Sequence, residues 1–569
     1  MNFKLRFIAL LLVVIMCLSS CEMFGMGNNE PQQTNPIITE PTESTTTTPT
    51  TTKPLPPKTN ISKYSVSIMP ADFAKRYTLT TAYYEETMAL LDQMLEISKT
   101  ATTIDEIDVI YDEFEERFYH IAQQMTIATI IYYCNTNDYA GIKRYDKATD
   151  MFYKLQDKYT ETCRSMYKES PFKDELFSDW TAKEIEELLD YDSTVVELRK
   201  EIDDLQVEYN KLGDDEFTDG AAAIYAQIVQ KNNELAKFYG YNNYYDYATE
   251  KVYSRDYTVD SLVGFRQNII DHVIPYIDNL YEFQDVLRSL EEDEYNLAVQ
   301  FVDKPFDVTR QGYLVEYLNS LTGKMGESMR HVFDNKNCVF ADGMNALPTA
   351  FCTYLYEDET PFCLFGQSQS ATTIAHEIGH YYASLVNNDL ENYDLLETHS
   401  QGNEFLFMNY CSDKLPEGVY EVASKFQLIN MCFTVIMATI VDEFEYIVYN
   451  LESVEGYTSE DFDAIMTTVC EKYGGVNWVK QNMTDPMNYW RAVCIENPVY
   501  YISYSVSAIA AIEIGALVET DKEAAYEAYR ILVEDTKVED GFLNALQKAG
   551  LASPFDDSTF VDVEAILSR

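Results

Sequence analysis

The feature that most constrains the fold of this chain is a long series of amphipathic segments with helical periodicity. Apolar residues recur every three to four positions in the first half of the chain, which places them along one face of an α-helix. The predicted helices are Tyr83–Lys99, Ile104–Cys134, Lys147–Lys168, Thr181–Leu189, Ser193–Leu212 and Ala221–Tyr239. A body built mainly from packed helices follows from this pattern.

The pattern changes near residue 338, where short apolar runs replace it. Cys338–Phe340, Ala350–Tyr356 and Phe362–Phe365 are such runs, and a short polar turn separates the last two. Two short apolar runs joined in this way predict a β-hairpin. Helices are predicted again at Leu395–Asn409, Glu421–Tyr449, Ser459–Lys472, Val499–Val518 and Lys522–Asp535. The expected fold class is therefore mostly α, with one small β-sheet.

The residues with the most specific chemistry follow this hairpin directly. The segment Ala375–His380 contains two histidines four residues apart, with a glutamate after the first. On a helix, His376 and His380 share one face, so both imidazoles can bind one Zn²⁺ ion. Glu377 then lies beside the metal, where it can take a proton from an attacking water molecule. The pattern predicts a hydrolytic zinc site with Glu377 as its general base.

A catalytic zinc site needs a third protein ligand and one open position. One class of zinc peptidase has a histidine six residues after the motif, but Val386 stands there. A second class takes a glutamate from the next helix, for which Glu397 and Glu404 are the candidates. These two residues are seven apart and share a helix face, so the residue pattern leaves both open.

The neighbouring residues resemble the thimet oligopeptidase and oligoendopeptidase F family of zinc peptidases. That family has Thr-Leu-x-His-Glu-x-Gly-His, and residues 373–380 follow it with Ile374 in place of leucine. The family's third ligand opens a Glu-x-x-Ser-x-x-x-Glu string, which residues 397–404 match. The resemblance implies that Glu397 is the ligand, with Ser400, Gln401 and Glu404 around it. The connection between the two helices is, however, several residues shorter than is usual in the family, and by that spacing alone Glu404 would be the ligand.

The family also has tyrosines and a histidine late in the chain that bind the substrate and the developing oxyanion. The resemblance implies this role for Tyr501 and Tyr504, with Tyr500 as a third candidate; packing in the core of a helix is the alternative. No histidine follows His399, so oxyanion stabilisation would depend on tyrosine. His399 itself is two positions from Glu397 and faces another side of the helix, so we expect it to be structural or to contact substrate.

The N-terminus predicts export and a membrane anchor. Residues 1–21 contain Lys4 and Arg6, an apolar run too short to span a bilayer, and then Leu-Ser-Ser-Cys21. This ending resembles a bacterial lipoprotein signal, in which the cysteine is lipidated after cleavage. Residues 22–62 are rich in threonine and proline and are expected to form a disordered tether. The protein is therefore expected outside the cytoplasm, anchored to the bacterial cell membrane through Cys21.

Charge and cysteine content exclude two classes of function. The chain has 94 acidic and 42 basic residues, a formal net charge of −52, so a nucleic-acid backbone would be repelled. Of the 11 cysteines, Cys17 and Cys21 precede the body, and the remaining nine form no Cys-x-x-Cys pair. An odd number without that spacing predicts neither a disulfide framework nor a thiolate zinc site.

The expected organisation is a helical N-terminal part at 63–330 and a catalytic part at 331–569, forming one continuous body with a deep substrate channel, as the family resemblance implies. The expected function is hydrolysis of short peptides by an endopeptidase with one Zn²⁺ ion per chain. Two alternatives remain open from the sequence. The chain could be a surface lipoprotein that binds peptides or sugars and has a vestigial zinc site, or a zinc carboxypeptidase on a related helical scaffold.

Overall fold

The structure is a computed structural model of the chain. It describes residues 63–178, 180, 182–189, 193–209, 211–212, 217–302, 311–341, 343–366, 369–388 and 392–568. The expected signal segment, Cys21 and the tether lie outside these residues and stay predictions.

The chain divides into two compact units, each assembled from separate segments. The first unit contains Ile61–Asp192 and Thr322–Gln369, and the second contains Ser193–Leu321 and Ser370–Arg569. The units thus alternate along the chain, whereas the sequence pattern predicts a single division near residue 330. All the residues predicted to bind metal or to act in catalysis belong to the second unit.

Long amphipathic helices form most of the first unit, as their periodicity predicts. Its helices are Lys63–Val66, Pro70–Phe73, Thr81–Thr100, Asp105–Cys134, Tyr139–Glu169, Lys173–Leu176, Ala182–Leu189 and Gly323–Asp334. Their apolar faces meet in a core that includes Phe114, Phe118 and Phe152. Phe114 stacks on Tyr159 with ring centroids 5.3 Å apart, so the two longest helices of this unit are joined partly through aromatic contacts.

The small sheet of the first unit has the predicted hairpin at its centre. Its strands are β1 (Cys338–Phe340), β2 (Ala350–Leu355) and β3 (Thr360–Phe365), in the order β1-β3-β2. β2 and β3 are antiparallel, with Ala350 opposite Phe365, and β1 runs parallel to β3. Phe73 stacks on Phe362 at 4.7 Å, which covers one face of the sheet with a helix.

The second unit is helical throughout the residues that the structure describes. Its helices are Ser193–Tyr209, Phe217–Phe238, Tyr244–Tyr247, Val259–His272, Ile277–Leu280, Phe283–Ser289, Glu292–Val302, Gln311–Ser320, α1 (Ala371–Val386), α2 (Tyr393–Ser412), α3 (Glu417–Tyr449), Ser459–Cys470, Val476–Asn482, Met487–Arg491, Val493–Glu496, α4 (Ile502–Thr520), Lys522–Arg530, Gly541–Ala549 and Asp557–Leu567. Short π-helical turns follow two of them, at Ala248–Val252 and Ile531–Asp535.

Helix α4 runs through the core of this unit. Gly515 lets it approach α2 closely, since a Cβ atom there would lie 2.6 Å from Cδ1 of Phe405. Among the described helices, α4 alone is long and apolar enough to cross a membrane, yet 78% of its apolar window is buried inside the protein. Core packing on several sides therefore accounts for its apolar composition.

The start of α4 differs from the sequence prediction. The pattern predicts a helix from Val499, whereas α4 begins at Ile502. Val499 has a φ of 64°, which no right-handed helix contains. Tyr500 and Tyr501 therefore lie in a turn before the helix, and only Tyr504 lies within it. The prediction was wrong because the backbone groups of this turn bind partners far away in the sequence.

Candidate metal centre

Both histidines lie on α1, whose start is determined by a local cap. Ser370 has an extended backbone, and its Oγ accepts the backbone N–H of Thr373 at 3.1 Å, as is common for a serine at a helix N-terminus. His376 and His380 follow one turn apart, with ring centroids separated by 4.9 Å. Helical spacing alone therefore brings the two imidazoles together.

Helix α2 lies close to α1. Gly379 leaves room for this contact, and Asn403 bonds the two helices together. A Cβ atom on Gly379 would lie 2.7 Å from the carbonyl oxygen of His399 and 2.7 Å from Cα of Ser400. Asn403 then donates from Nδ2 to the carbonyl oxygen of Ala375 at 2.7 Å, which joins the two helices directly.

This approach brings the carboxylate of Glu397 to the histidine pair. Its Oε2 lies 3.6 Å from Nε2 of His376 and 3.8 Å from Nε2 of His380. One possible ligand atom from each residue lies within 4.8 Å of the other two. Among the described residues, this is the one group of three or more histidine, cysteine, aspartate or glutamate residues that converges in this way.

Glu404, the other candidate ligand, lies on the far side of the His376 ring. Its Oε1 accepts a hydrogen bond from Nδ1 of His376 at 2.8 Å. Nε2 of His376 is thereby left to face Glu397, which is the orientation that metal binding requires. Ser400 donates to the backbone oxygen of Glu397 at 2.9 Å and lies 3.4 Å from its Oε2, so it holds the carboxylate in place.

The electrostatics of the site favour a bound cation. Burial raises the pKa of Glu397 to about 7, against the opposing charge of His376. Burial lowers the pKa of His376, but its hydrogen bond to Glu404 and the nearby carboxylates outweigh this and raise the value to about 9. Burial, and then the charge on His376, hold the pKa of His380 well below its usual range. The carboxylates around the histidine pair thus stabilise positive charge at His376, which a divalent cation would supply instead.

Glu377 is 1% exposed and follows His376 directly on α1. Its charge raises the pKa values of both His376 and Glu397, which places its carboxylate near the proposed ligands. The site thus contains a third buried acidic group that is not needed as a ligand. That is the position expected of a general base.

The donor set fits Zn²⁺. Two imidazole nitrogens and one carboxylate oxygen are the ligands of one common type of catalytic zinc site, which leaves a fourth position for water or substrate. The second nitrogen of His376 already binds a carboxylate, as is usual for metal-binding histidines. The close approach of α1 and α2 at Gly379 leaves the candidate ligands on both helices facing each other.

The three late tyrosines form a buried group near α2. Tyr501 and Tyr504 have ring centroids 5.2 Å apart, and those of Tyr500 and Tyr504 are 5.6 Å apart. Tyr500 also contacts Tyr393 edge-on at 5.7 Å, one helical turn before Glu397 on α2. Burial, and then the charge on Glu397, raise the pKa of Tyr500 well above its usual range. Burial likewise raises the pKa of Tyr501 well above its usual range, so these two phenols stay protonated and able to donate a hydrogen bond.

His399 has a structural position. It is fully buried, and its Nε2 lies 3.1 Å from the carbonyl oxygen of Leu532. Tyr529 donates to its backbone oxygen at 2.8 Å. Burial lowers the pKa of His399 to about 4, so it stays neutral and ties α2 to the turn after Lys522–Arg530.

Two residues near the site have roles that the sequence pattern did not indicate. Asn403 joins α1 to α2, and Tyr317 donates to its Oδ1 at 2.7 Å. Arg255 binds the turn at Val499, and nothing in its local sequence pattern points to this contact. Both contacts join residues far apart in the chain, so local spacing contains no signal for them.

Comparison with known proteins relates the chain to others through structure alone. No protein-family model and no curated protein sequence matches it. The structure of Pz peptidase A with an inhibitor is 18% identical over 87% of this chain and 98% of that chain, with a TM-score of 0.62. A protein from Bacillus anthracis assigned as oligoendopeptidase F is 18% identical over 86% and 97%, with a TM-score of 0.61. A second structure assigned as oligoendopeptidase F is 17% identical over 88% and 98%, with a TM-score of 0.62. The chain therefore shares the helical fold of the oligoendopeptidase F and Pz peptidase A structures.

Proposed function

We propose that this protein is a zinc-dependent oligopeptidase that hydrolyses peptide bonds in short peptides. The observation that supports this most directly is the position of Glu397, whose Oε2 lies 3.6 and 3.8 Å from the Nε2 atoms of His376 and His380. The fold shared with structures named as peptidases adds to it. In this proposal His376, His380 and Glu397 hold one Zn²⁺ ion.

The zinc ion, when bound, supplies a Lewis acid that polarises the scissile carbonyl and makes water acidic enough to react near neutral pH. Glu377 accepts the proton of the attacking water and passes it to the nitrogen of the leaving amine. Its 1% exposure keeps its carboxylate away from bulk solvent. Glu404 keeps the His376 ring oriented throughout, because it holds the Nδ1 proton.

Tyr501 and Tyr504, with Tyr500 beside them, are proposed to donate hydrogen bonds to the carbonyl oxygen as it becomes an oxyanion. Burial of all three hydroxyl-bearing rings makes such donors stronger than they would be in water. No histidine follows His399 in the chain, so these phenols would provide the protein's own contribution to oxyanion stabilisation.

The proposed setting is the outer face of a bacterial cell membrane. Residues 1–21 and the cysteine that ends them support a lipid anchor, and the Thr- and Pro-rich residues 22–62 support a tether. Metabolic labelling with a fatty acid would test this, since Cys21→Ser should abolish incorporation of label.

The catalytic proposal is tested with purified protein, a mixed peptide pool and mass spectrometry of the products. The wild-type protein should contain about one zinc ion and cleave peptides, and a chelator should stop cleavage. Glu377→Gln should retain the metal and lower kcat by on the order of 10²–10⁴-fold. Glu513→Gln is the control. This half-buried glutamate lies on α4, where its carboxylate accepts the backbone N–H of Ala552.

The same experiment separates the proposal from its alternatives. A protein that binds zinc and peptides without cleaving them would be a binding lipoprotein and not a peptidase. Products shortened only from the carboxyl end would indicate a carboxypeptidase. Unchanged cleavage by Glu377→Gln would rule out the proposed general base.

A further inference from the structure

The turn that precedes α4 has a strained backbone. Val499 adopts a φ of 64°, a conformation that is rare for any residue with a side chain and especially so for a β-branched one. Such a conformation is unfavourable and persists only where the surroundings enforce it. Tyr500 and Tyr501 come directly after this residue, so their positions depend on whatever holds the turn.

Glu445 of α3 holds the turn from one side. Its Oε1 accepts the backbone N–H of Val499 at 2.8 Å, and its side chain is fully buried. Burial raises the pKa of Glu445 well above its usual range. The contact with Val499 needs only one acceptor oxygen at this position, which glutamine also provides.

Arg255 holds the turn from the other side. Its Nη2 lies 2.9 Å from the carbonyl oxygen of Val499, 3.2 Å from that of Tyr500 and 3.2 Å from Oγ of Ser503. The guanidinium group is buried and lies over the ring of Tyr253, 4.5 Å from its centroid. The Tyr253 hydroxyl donates in turn to the carbonyl oxygen of Pro498 at 2.7 Å.

The turn connects this clamp to the metal centre. The Tyr500 ring contacts Tyr393, which lies on α2 four residues before Glu397 and so on the same face. Tyr504 contacts the rings of both Tyr500 and Tyr501. Any movement of the turn would thus move the tyrosine hydroxyls relative to the proposed metal ligand.

We propose that Arg255 and Glu445 are positioning residues that clamp the strained turn at Val499 and so place the hydroxyls of Tyr500, Tyr501 and Tyr504 for oxyanion stabilisation. This inference rests on the proposed peptidase function. Neither residue needs to contact substrate, because each binds the backbone of the turn. An error of about 1 Å in the position of a catalytic group can cost on the order of 10²-fold in rate.

Substitutions at Glu445 test the clamp with little change in volume. Glu445→Gln retains an acceptor for the Val499 N–H and should keep kcat within about threefold of wild type. Glu445→Asp withdraws the carboxyl group by one methylene and should lower kcat by about 10–100-fold, with the zinc content unchanged and KM within about threefold. Arg255→Lys should behave like Glu445→Asp, because the lysine side chain is one bond shorter and its Nζ cannot reach the position from which Nη2 makes all three contacts.

A double-mutant cycle separates positioning from general destabilisation. If Arg255 acts through the tyrosine hydroxyls, Arg255→Lys should have little further effect on kcat in a Tyr500→Phe, Tyr501→Phe, Tyr504→Phe background. A residue with a merely structural role would lower kcat equally in both backgrounds. Equal losses would overturn the proposal.

Hydrogen exchange tests the clamp without any measurement of catalysis. Hydrogen exchange at the Val499 amide should accelerate in Glu445→Asp and Arg255→Lys by at least tenfold, with exchange in α1 unchanged, while Glu445→Gln retains wild-type protection. Unchanged exchange in both weakened variants would overturn the clamp itself. Wild-type protein without zinc-dependent cleavage would instead overturn the proposed function, and the exchange result would still decide whether the clamp exists.

Discussion

The Nδ1 atom of His376 lies 2.8 Å from Oε1 of Glu404. On the other side of the same ring, Nε2 faces Glu397 at 3.6 Å. One imidazole is thus held between two carboxylates that are a heptad apart on α2, one beside Nε2 and the other bound to Nδ1. The two glutamates that the sequence pattern left as alternatives have different, complementary positions.

The first prediction separates these two glutamates by metal affinity. Glu404→Gln should weaken zinc binding by about 10–100-fold, because the orienting carboxylate is lost while all three ligands remain. Glu397→Gln should weaken it much further, since it removes a ligand. Competition with a chromogenic chelator measures both values. Equal losses for the two variants, or the larger loss for Glu404→Gln, would contradict the assignment of the third ligand.

The second prediction concerns protons released on metal binding. The pKa of His376 in the metal-free site is about 9, so this residue is protonated at pH 7.5 and must lose its proton to bind zinc. Zinc binding should therefore release close to one proton from His376, and affinity should fall about tenfold per unit as pH drops below 9. Calorimetry in two buffers of different ionisation enthalpy measures the release. If the heat of zinc binding were the same in both buffers, the prediction would be contradicted.

The third prediction uses glycine to test the approach of α1 to α2. Gly379→Ala places a Cβ atom 2.7 Å from backbone atoms of both His399 and Ser400. The helices must separate, which should lower the free energy of unfolding by about 1–3 kcal/mol and weaken zinc binding. Gly264→Ala is a matched control, because this glycine lies in the helix Val259–His272 with open space around it.

Gly264→Ala should instead raise stability by about 0.5–1 kcal/mol, since alanine is the better helix former. Thermal unfolding followed by circular dichroism measures both variants. If Gly379→Ala were as stable as wild type and bound zinc equally well, the contact between the two helices would not be as close as described.

The fourth prediction concerns stability as a function of pH, away from the metal centre. Burial raises the pKa of Glu496 from 4.5 to about 7. Below pH 4.5 this group is protonated in both the folded and unfolded states and has no effect. Above pH 7 the folded state must hold a buried charge, so the Glu496 contribution to stability falls as pH rises between these values.

Glu496→Gln should therefore match wild type at pH 4 and be more stable by about 1–3 kcal/mol at pH 8. Melting temperatures at the two pH values measure the difference. Glu460→Gln, on an exposed glutamate of the helix Ser459–Cys470, is the control and should show no such dependence. If Glu496→Gln changed the melting temperature equally at both pH values, the burial of this carboxyl group would be contradicted.

Much of the fold could be read from the sequence because its signals are local. The three long helices of the first unit and the hairpin β2–β3 are confirmed, since periodicity and turn residues act over a few positions. The helix predicted from Val499 starts later, at Ile502. Its first residues have helical composition, but their backbone groups bind Glu445 and Arg255, which are 54 and 244 positions away.

The sequence by itself determined the identity of the candidate metal ligands, because His376 and His380 need only one helical turn to share a face. Only the tertiary structure shows that Glu397 lies beside Nε2 of both histidines, whereas Glu404 binds Nδ1 of His376. Both lie on the same face of α2, and the choice depends on how far α2 is shifted along α1, which Gly379 and the Asn403 hydrogen bond determine. Which residues share a face of one helix depends only on their spacing along the chain. The relative position of two helices depends on packing across the whole unit.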